Sequence, residues 1–185
     1  LTRRAVAASV AYNNRSVQAS AGAEWRTEKD ALGVERTSVL GRAKTKFEFN
    51  KDFSFNTNLS VAHSASNQSP NGHDNGEFVE GSVGLAYRPV ASDKLNALIR
   101  YTFLHDLPPA AQVNAFGSTT GFKQRSHMMS ADVNLAVNHW LTLGAKYGLK
   151  ISEQTATRTD DNWFSNQVHL AVLRGDVHFL RKWDA

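Results

Sequence analysis

The sequence has no cysteine, and it has no long uninterrupted run of apolar residues. The absence of cysteine excludes a disulfide framework and any metal site built from thiolates. A transmembrane helix needs about 18 consecutive apolar residues, so this kind of membrane anchor is excluded as well. The mean hydropathy of −0.41 does not exclude a membrane, because strands that cross a bilayer are apolar only at every second position.

Strong charge of either sign is also missing. The formal net charge is +4, and the basic residues do not form a run of the kind that binds nucleic acid. The seven histidines are scattered, without a His-x-His, His-Glu-x-x-His or acidic calcium-binding pattern. We therefore expect no cofactor, no metal and no nucleic-acid partner. No charged-then-apolar leader follows Leu1, so we expect any signal peptide to have been removed or to lie upstream.

What the sequence does contain is regular alternation over segments of about ten residues. From Leu141 to Ile151, every odd position is apolar and every even position is small or polar. A period of two indicates a β-strand whose two faces differ. A tilted strand needs about 9–11 residues to cross a bilayer, whereas strands of soluble proteins are usually about half as long. The pattern therefore predicts the wall of a transmembrane β-barrel.

Tight turns and longer polar loops alternate between these segments. The turns are predicted near residues 14, 51, 91 and 139, and the loops near residues 31, 70, 115 and 159. The first loop is predicted from Thr27 to Glu35 and the last from Thr155 to Trp163. Short connections at one end and long ones at the other are typical of outer-membrane barrels, whose short turns face the periplasm.

The element count completes the predicted architecture. We predict an all-β, antiparallel, up-and-down transmembrane β-barrel in a single domain, or a fragment of one, over residues 1–185. About nine strands are visible, and Arg181–Trp183 is predicted to turn into a tenth. Bacterial barrels usually have an even number of strands, so we expect the chain to form part of a larger barrel.

Aromatic residues concentrate at the predicted strand ends, and smaller apolar residues fill the strand centres. Amphipathic rings favour the level of the lipid headgroups, so these residues are predicted to form belts at the two membrane interfaces. A soluble β-sandwich would instead concentrate its large residues in the middle of the strands. The belt candidates are Trp25, Phe47, Phe49, Phe53, Tyr87, Tyr101, Phe103, Trp140 and Trp183.

The face opposite to the apolar one carries charged residues and is predicted to line the lumen. Charges inside a barrel must pair with one another or meet water. Two alternatives are open: a water-filled pore that favours anions, and a closed interior of cross-strand ion pairs. Small polar residues between the charges favour the first. The candidates are Arg42, Lys44, Lys46, Glu48, Arg100, Asp132, Lys146, Lys150, Arg174 and Asp176.

The last predicted strand could direct either of its faces outward. The apolar residues that we predict to point outward are Ala171, Leu173, Val177 and Phe179. This choice sends the polar residues of the same strand inward, where they can meet water or a partner. These residues are Arg174, Asp176 and His178.

The segments Gly84–Pro89 and Leu95–Tyr101 resemble barrel segments of Gram-negative outer-membrane proteins. They are similar to those at the C-terminal end of large surface or secreted proteins. The resemblance implies a location in the bacterial outer membrane, contact with its lipid, and a fused or associated surface protein as partner. It implies no catalytic residues. We therefore expect a non-enzymatic barrel that acts as a pore or as a translocating or anchoring barrel.

Two other functions are compatible with the sequence. An outer-membrane hydrolase could set a Ser–His pair on the barrel wall, built from His63 with Ser64 or from His127 with Ser126. A soluble all-β adhesin or carbohydrate-binding sandwich is the other alternative. The length of the alternating segments favours the barrel over the sandwich.

Overall fold

The computed structural model describes residues 2–29, 31, 33–66, 76–92, 94–106, 122–157, 160–180 and 183–184, and nothing is said below of the others. Ten β-strands form one antiparallel sheet, in which each strand pairs with its neighbours in sequence. The strands are β1 (Thr2–Asn13), β2 (Val17–Lys29), β3 (Glu35–Glu48), β4 (Phe53–Ser66), β5 (Gly76–Tyr87), β6 (Leu95–Asp106), β7 (Gln124–Asn138), β8 (Leu141–Thr155), β9 (Trp163–Leu180) and β10 (Trp183–Asp184). The predicted up-and-down antiparallel architecture is confirmed.

The described strands have no second layer against which to pack. No hydrophobic residue among the described ones is buried, and large apolar side chains are 36–86% exposed on the isolated sheet. A soluble sandwich would need two sheets with apolar side chains enclosed between them. The sandwich alternative is therefore wrong for this part of the chain.

The strands β1 to β9 contain 12–18 residues each, more than the roughly ten residues that alternate clearly in the sequence. The first loop is correspondingly shorter than the predicted Thr27–Glu35, because β2 continues to Lys29 and β3 begins at Glu35. The ladder can extend into polar residues because its hydrogen bonds join backbone groups. Gly33 has a φ of +83°, a left-handed conformation that glycine adopts without strain and that suits a tight connection.

The other connections follow the prediction where they are described. The connections from β1 to β2, β3 to β4, β5 to β6 and β7 to β8 lie at the four predicted places; three of them have two to four residues, and the β5–β6 connection has seven, more than the five between β2 and β3. The last loop lies between Thr155 and Trp163, as predicted. The loops predicted near residues 70 and 115 lie outside the described residues. All described short turns lie at one end of the sheet, called here the short-turn end, and the opposite end is the loop end.

Hydrogen bonds tie two of the short turns together. The side-chain oxygen of Asn50 accepts hydrogen bonds from the backbone N–H groups of Asp52 and Phe53, both at 2.8 Å. The Asp52 carboxylate accepts one from the Val90 N–H at 2.9 Å. The Asp52 backbone carbonyl accepts another from the Arg88 N–H at 2.7 Å. The β3–β4 and β5–β6 turns are thus fixed relative to each other.

The sheet is open over its described part. No pairing joins β1 to β9 or β10 in the described ranges, and every side chain of β1 is exposed. β10 pairs with β9 at Leu180 and His178. The predicted tenth strand is therefore present, although Trp183 belongs to the strand and not to the turn before it.

Candidate pore-lining surface

The register of the strands sorts the side chains onto two faces. Residues that lie directly opposite each other in an antiparallel ladder share one face. Lys44 of β3 lies opposite Ser20 of β2 and Asn58 of β4. Its chain neighbour Ala43 lies opposite Leu59, on the other side of the sheet. Continued across all the strands, this pairing defines a polar face and an apolar face.

The apolar face carries large side chains that the protein itself leaves uncovered. Val10 is 67% exposed, Ile99 58% and Leu143 44%. In the described strands, charged residues on this face lie towards the loop end and leave a continuous uncharged band across the strand centres. These residues are Arg4, Lys29, Glu35, Glu77, Arg125 and Glu153. Such a band is the surface that a barrel of this kind presents to lipid.

Aromatic belt candidates occupy the short-turn end of the sheet. The Phe47 and Phe49 rings pack edge-on with 4.7 Å between their centroids, and the Phe53 ring lies 4.6 Å from the Tyr87 ring. Trp140 follows at the β7–β8 turn and is 45% exposed. These rings lie at the level where an aromatic belt would meet the headgroups.

Two other belt candidates, Trp25 and Phe103, lie towards the loop end, whereas Tyr101, predicted near a strand end, lies at the centre of β6. The Tyr101 hydroxyl is 2.7 Å from Nδ1 of His127, and the Phe103 ring lies 5.1 Å from the His127 ring. His127 thereby has a hydrogen-bond partner although it lies on the apolar face. The side chain of the last candidate, Trp183, is outside the described residues.

All ten lumen candidates lie on the polar face. They are Arg42, Lys44, Lys46, Glu48, Arg100, Asp132, Lys146, Lys150, Arg174 and Asp176. Two ion pairs join members of this group, Lys46–Glu48 at 2.7 Å and Arg174–Asp176 at 2.9 Å. Each pair joins residues two apart on one strand, so neither links neighbouring strands.

The polar face also contains charged residues that the sequence analysis missed. Arg3 pairs with Glu28 at 2.9 Å across β1 and β2, and Arg26 pairs with Glu24 at 2.6 Å along β2. Arg36 of β3 lies opposite Glu28. The loop predicted from Thr27 to Glu35 contains Glu28 and is bordered by Arg26 and Arg36, although these three positions continue the even-numbered pattern of Glu24.

Arg42 and Lys44 are the exposed cations nearest to the centre of β3. Arg42 lies opposite Gly22 and Ser60, and Lys44 lies opposite two other neutral residues. Neither forms an ion pair with any residue that the structure describes. Glu24 and Glu48 are acids of β2 and β3 on the same face, but each forms an ion pair with another residue, Glu24 with Arg26 and Glu48 with Lys46. A net positive charge therefore remains on this part of the polar face.

The Ser–His candidates of the hydrolase alternative are separated by the sheet. His63 and Ser64 are successive residues of β4 and lie on opposite faces, and the same holds for Ser126 and His127 on β7. Ser126 is buried and lies 3.3 Å from Ser152, with its Oγ donating to that hydroxyl. Neither pair has the geometry that a nucleophile and its base require.

Metal-ligating side chains do not converge in the described ranges, where no group of three or more such residues is found. The adjacent acids of the last loop contact protein groups instead. Asp161 accepts a hydrogen bond from Nζ of Lys123 at 3.2 Å, and Asp160 accepts one from the backbone N–H of Asn162 at 2.9 Å.

Comparison with known proteins identifies the fold. No family model matches the chain, and no curated protein matches it. Among solved structures, the chain is similar to the outer-membrane expressed OmpT of Vibrio cholerae, with 14% identity and a TM-score of 0.50, covering 94% of this chain and 54% of that one. It is also similar to the siderophore receptor PirA from Pseudomonas aeruginosa, with 10% identity and a TM-score of 0.58, covering 96% of this chain and 32% of that one.

The chain has the fold of bacterial outer-membrane β-barrels and spans about half of the first neighbour and a third of the second. The outer-membrane location predicted from the sequence is confirmed. The sheet has the fold of these outer-membrane proteins, and it carries the apolar band that such barrels place in lipid. No helix in the described part of the chain is long and apolar enough to cross a membrane.

Proposed function

We propose that the chain forms part of the wall of an outer-membrane pore whose basic inner face favours anions. The observation that carries this proposal is the position of Arg42 and Lys44, exposed on the polar face and flanked across both neighbouring strands by small or neutral residues. A cation that is taken out of water without a partner is strongly destabilising. Unpaired cations at the centre of a barrel wall therefore favour a water-filled interior.

The proposal requires no catalytic step. The polar face would select solutes by its charge, and the apolar face would contact outer-membrane lipid. Basic residues outnumber acidic ones on the described polar face, so its residual field would attract small anions. The basic residues are Arg3, Arg26, Arg36, Arg42, Lys44, Lys46, Arg100, Lys146, Lys150 and Arg174, and the acidic ones are Glu24, Glu28, Glu48, Glu80, Asp132 and Asp176.

Ion selectivity in a planar bilayer tests this proposal. The full-length protein should conduct and should prefer chloride over potassium, and Lys44→Glu should weaken that preference because it reverses one charge on the inner wall. Lys29→Glu is the matched control, since Lys29 lies on the apolar face near the loop end. Preference for cations would contradict the proposal, as would an equal effect of both variants.

An anchoring or translocating barrel attached to a surface protein is the second candidate. The ion pairs Arg3–Glu28 and Arg26–Glu24 favour it, because paired charges can fill a closed interior. Absence of any conductance by the full-length protein, together with correct insertion, would support this candidate over the pore.

A further inference from the structure

The polar face of β9 departs from the pattern of its neighbours. Val168, Leu170 and Val172 occupy three successive positions on this face and are 54%, 53% and 44% exposed. On β2 to β8, large apolar residues of this face stand singly between polar or small ones. We call these three residues the β9 inner stripe. An exposed apolar patch on a surface that otherwise meets water indicates a ligand with an apolar part.

Two lysines of β8 lie beside the stripe. Lys146 is opposite Val172, and Lys150 is opposite Val168. Lys150 has Met128 on its other side, so both of its cross-strand neighbours are apolar. Within the described ranges neither lysine forms an ion pair. Unpaired cations thus border an uncovered apolar stripe.

Gly148 leaves space between the two lysines. It lies opposite Leu170, and a Cβ atom added here would have contacts only at 3.8 Å, with the Leu170 Cβ, and at 4.0 Å, with a backbone oxygen. The flank of Leu170 therefore stays open towards the interior. The stripe is about 13 Å long, since Val168 and Val172 are four residues apart on one strand.

We propose that the β9 inner stripe, with Lys146 and Lys150, binds an amphipathic anion, namely a fatty-acid carboxylate of medium chain length. The acyl chain lies along the stripe and buries apolar surface there. The carboxylate accepts charge-assisted hydrogen bonds from the Lys150 ammonium. Lys146 contributes less to carboxylate binding than Lys150, because the Asp132 carboxylate lies opposite it on the neighbouring strand β7.

This inference rests on the proposed function in one respect, because it needs a polar face that solutes can reach. It also deepens that function, since it names a solute class for the interior. A small hydrophilic anion would use the cations alone and would gain nothing from the stripe. The apolar tail therefore distinguishes this site from general attraction of anions.

Fluorescence quenching in vesicles tests the site. These 185 residues contain no cysteine, so Asn166→Cys, on the exposed polar face two residues before Val168, adds one thiol here for a fluorophore, and the full-length protein without the substitution gives the background labelling. Spin-labelled laurate should quench it saturably, and unlabelled laurate should displace the probe while acetate should not. Lys150→Gln and Leu170→Ser should each weaken binding about tenfold. The matched control is Leu173→Ser on the apolar face, which should leave binding unchanged.

Other outcomes overturn the inference. Quenching that rises linearly with laurate and is equal in all variants would show partition into the bilayer alone. If a water-soluble maleimide fails to react with the cysteine of the Asn166→Cys variant, another segment covers the stripe and the ligand cannot reach it. Conductance without saturable quenching would refute the proposed carboxylate site but not the proposed pore. Saturable quenching without conductance would refute the proposed pore but not the site.

Discussion

Neighbouring residues of one strand face different surroundings in this sheet, and β5 provides a clear example. Val83 lies on the apolar face opposite Tyr101 and is 42% exposed. Ser82, one residue earlier, lies on the polar face, where its hydroxyl accepts a hydrogen bond from the Asn58 amide at 3.3 Å. The effect of a substitution therefore depends first on which face of the sheet its side chain occupies.

Introducing the same charge on the two faces of β5 should have unequal effects. Val83→Arg places a guanidinium in lipid near the middle of the strand, so the free energy of unfolding should fall by about 2–4 kcal/mol. Ser82→Arg places it against water and should lower the same quantity by less than about 1 kcal/mol. Urea unfolding of the vesicle-inserted protein measures both. Equal losses would show that the two faces have been assigned wrongly.

Sequence alternation predicts the face of a residue but not its contacts. The two faces of β8 from Leu141 to Ile151 could be read directly, because apolar side chains recur there at every second position. The cross-strand partners could not be read from the sequence, because Tyr101 contacts His127 and Arg3 contacts Glu28 only in one particular register of the strands. A period of two does not specify which residue of the next strand lies opposite.

At the scale of the strands, the turns were easier to predict than the strand ends. Asn and Asp at the short turns satisfy local backbone donors, as Asn50 does, and this chemistry is visible in the sequence. The extension of β2 to Lys29 was not visible, because polar residues beyond the lipid band look like loop. The register with β8 puts Ala171, Leu173 and Val177 on the apolar face, which we predict to point outward, whereas the Phe179 side chain is outside the described residues.

Removal of the Asn50 side-chain acceptor should weaken the β3–β4 turn. Asn50→Ala removes the acceptor of two exposed backbone N–H groups, which water replaces in part, so the free energy of unfolding should fall by about 0.5–1.5 kcal/mol. Asn50→Asp keeps an acceptor oxygen, so its free energy of unfolding should fall clearly less. Thermal or urea unfolding in vesicles compares the variants. Identical losses would mean that these hydrogen bonds do not determine the stability of the turn.

The alternating connections predict a fixed topology across the membrane. Protease added to intact cells should cut the full-length protein in the loops near residues 31, 70, 115 or 159, because hairpin strands return each of them to one side. The exposed Lys51 of the β3–β4 turn should be cut only after the outer membrane is permeabilised. Cleavage at Lys51 in intact cells would contradict this topology.

At the scale of the whole molecule, the sheet is a barrel wall with two free edges in its described part. β1 is exposed throughout, and β9 pairs on its second side with β10 alone. The fold class and the outer-membrane setting could be predicted from alternation and turn spacing. The shape of the closed barrel could not, because strand number and stagger are properties of the complete ladder.

Water accessibility along β8 tests the two-faced wall most directly. Single cysteines placed in turn from Leu141 to Ile151 can each be treated with a water-soluble maleimide, since the chain has no other thiol. The even positions, among them Lys146 and Lys150, should react in intact membranes, and the odd positions, among them Leu143 and Ala145, should not. Equal reaction at odd and even positions, or reaction at the odd positions alone, would contradict the assignment of lipid to one face and water to the other.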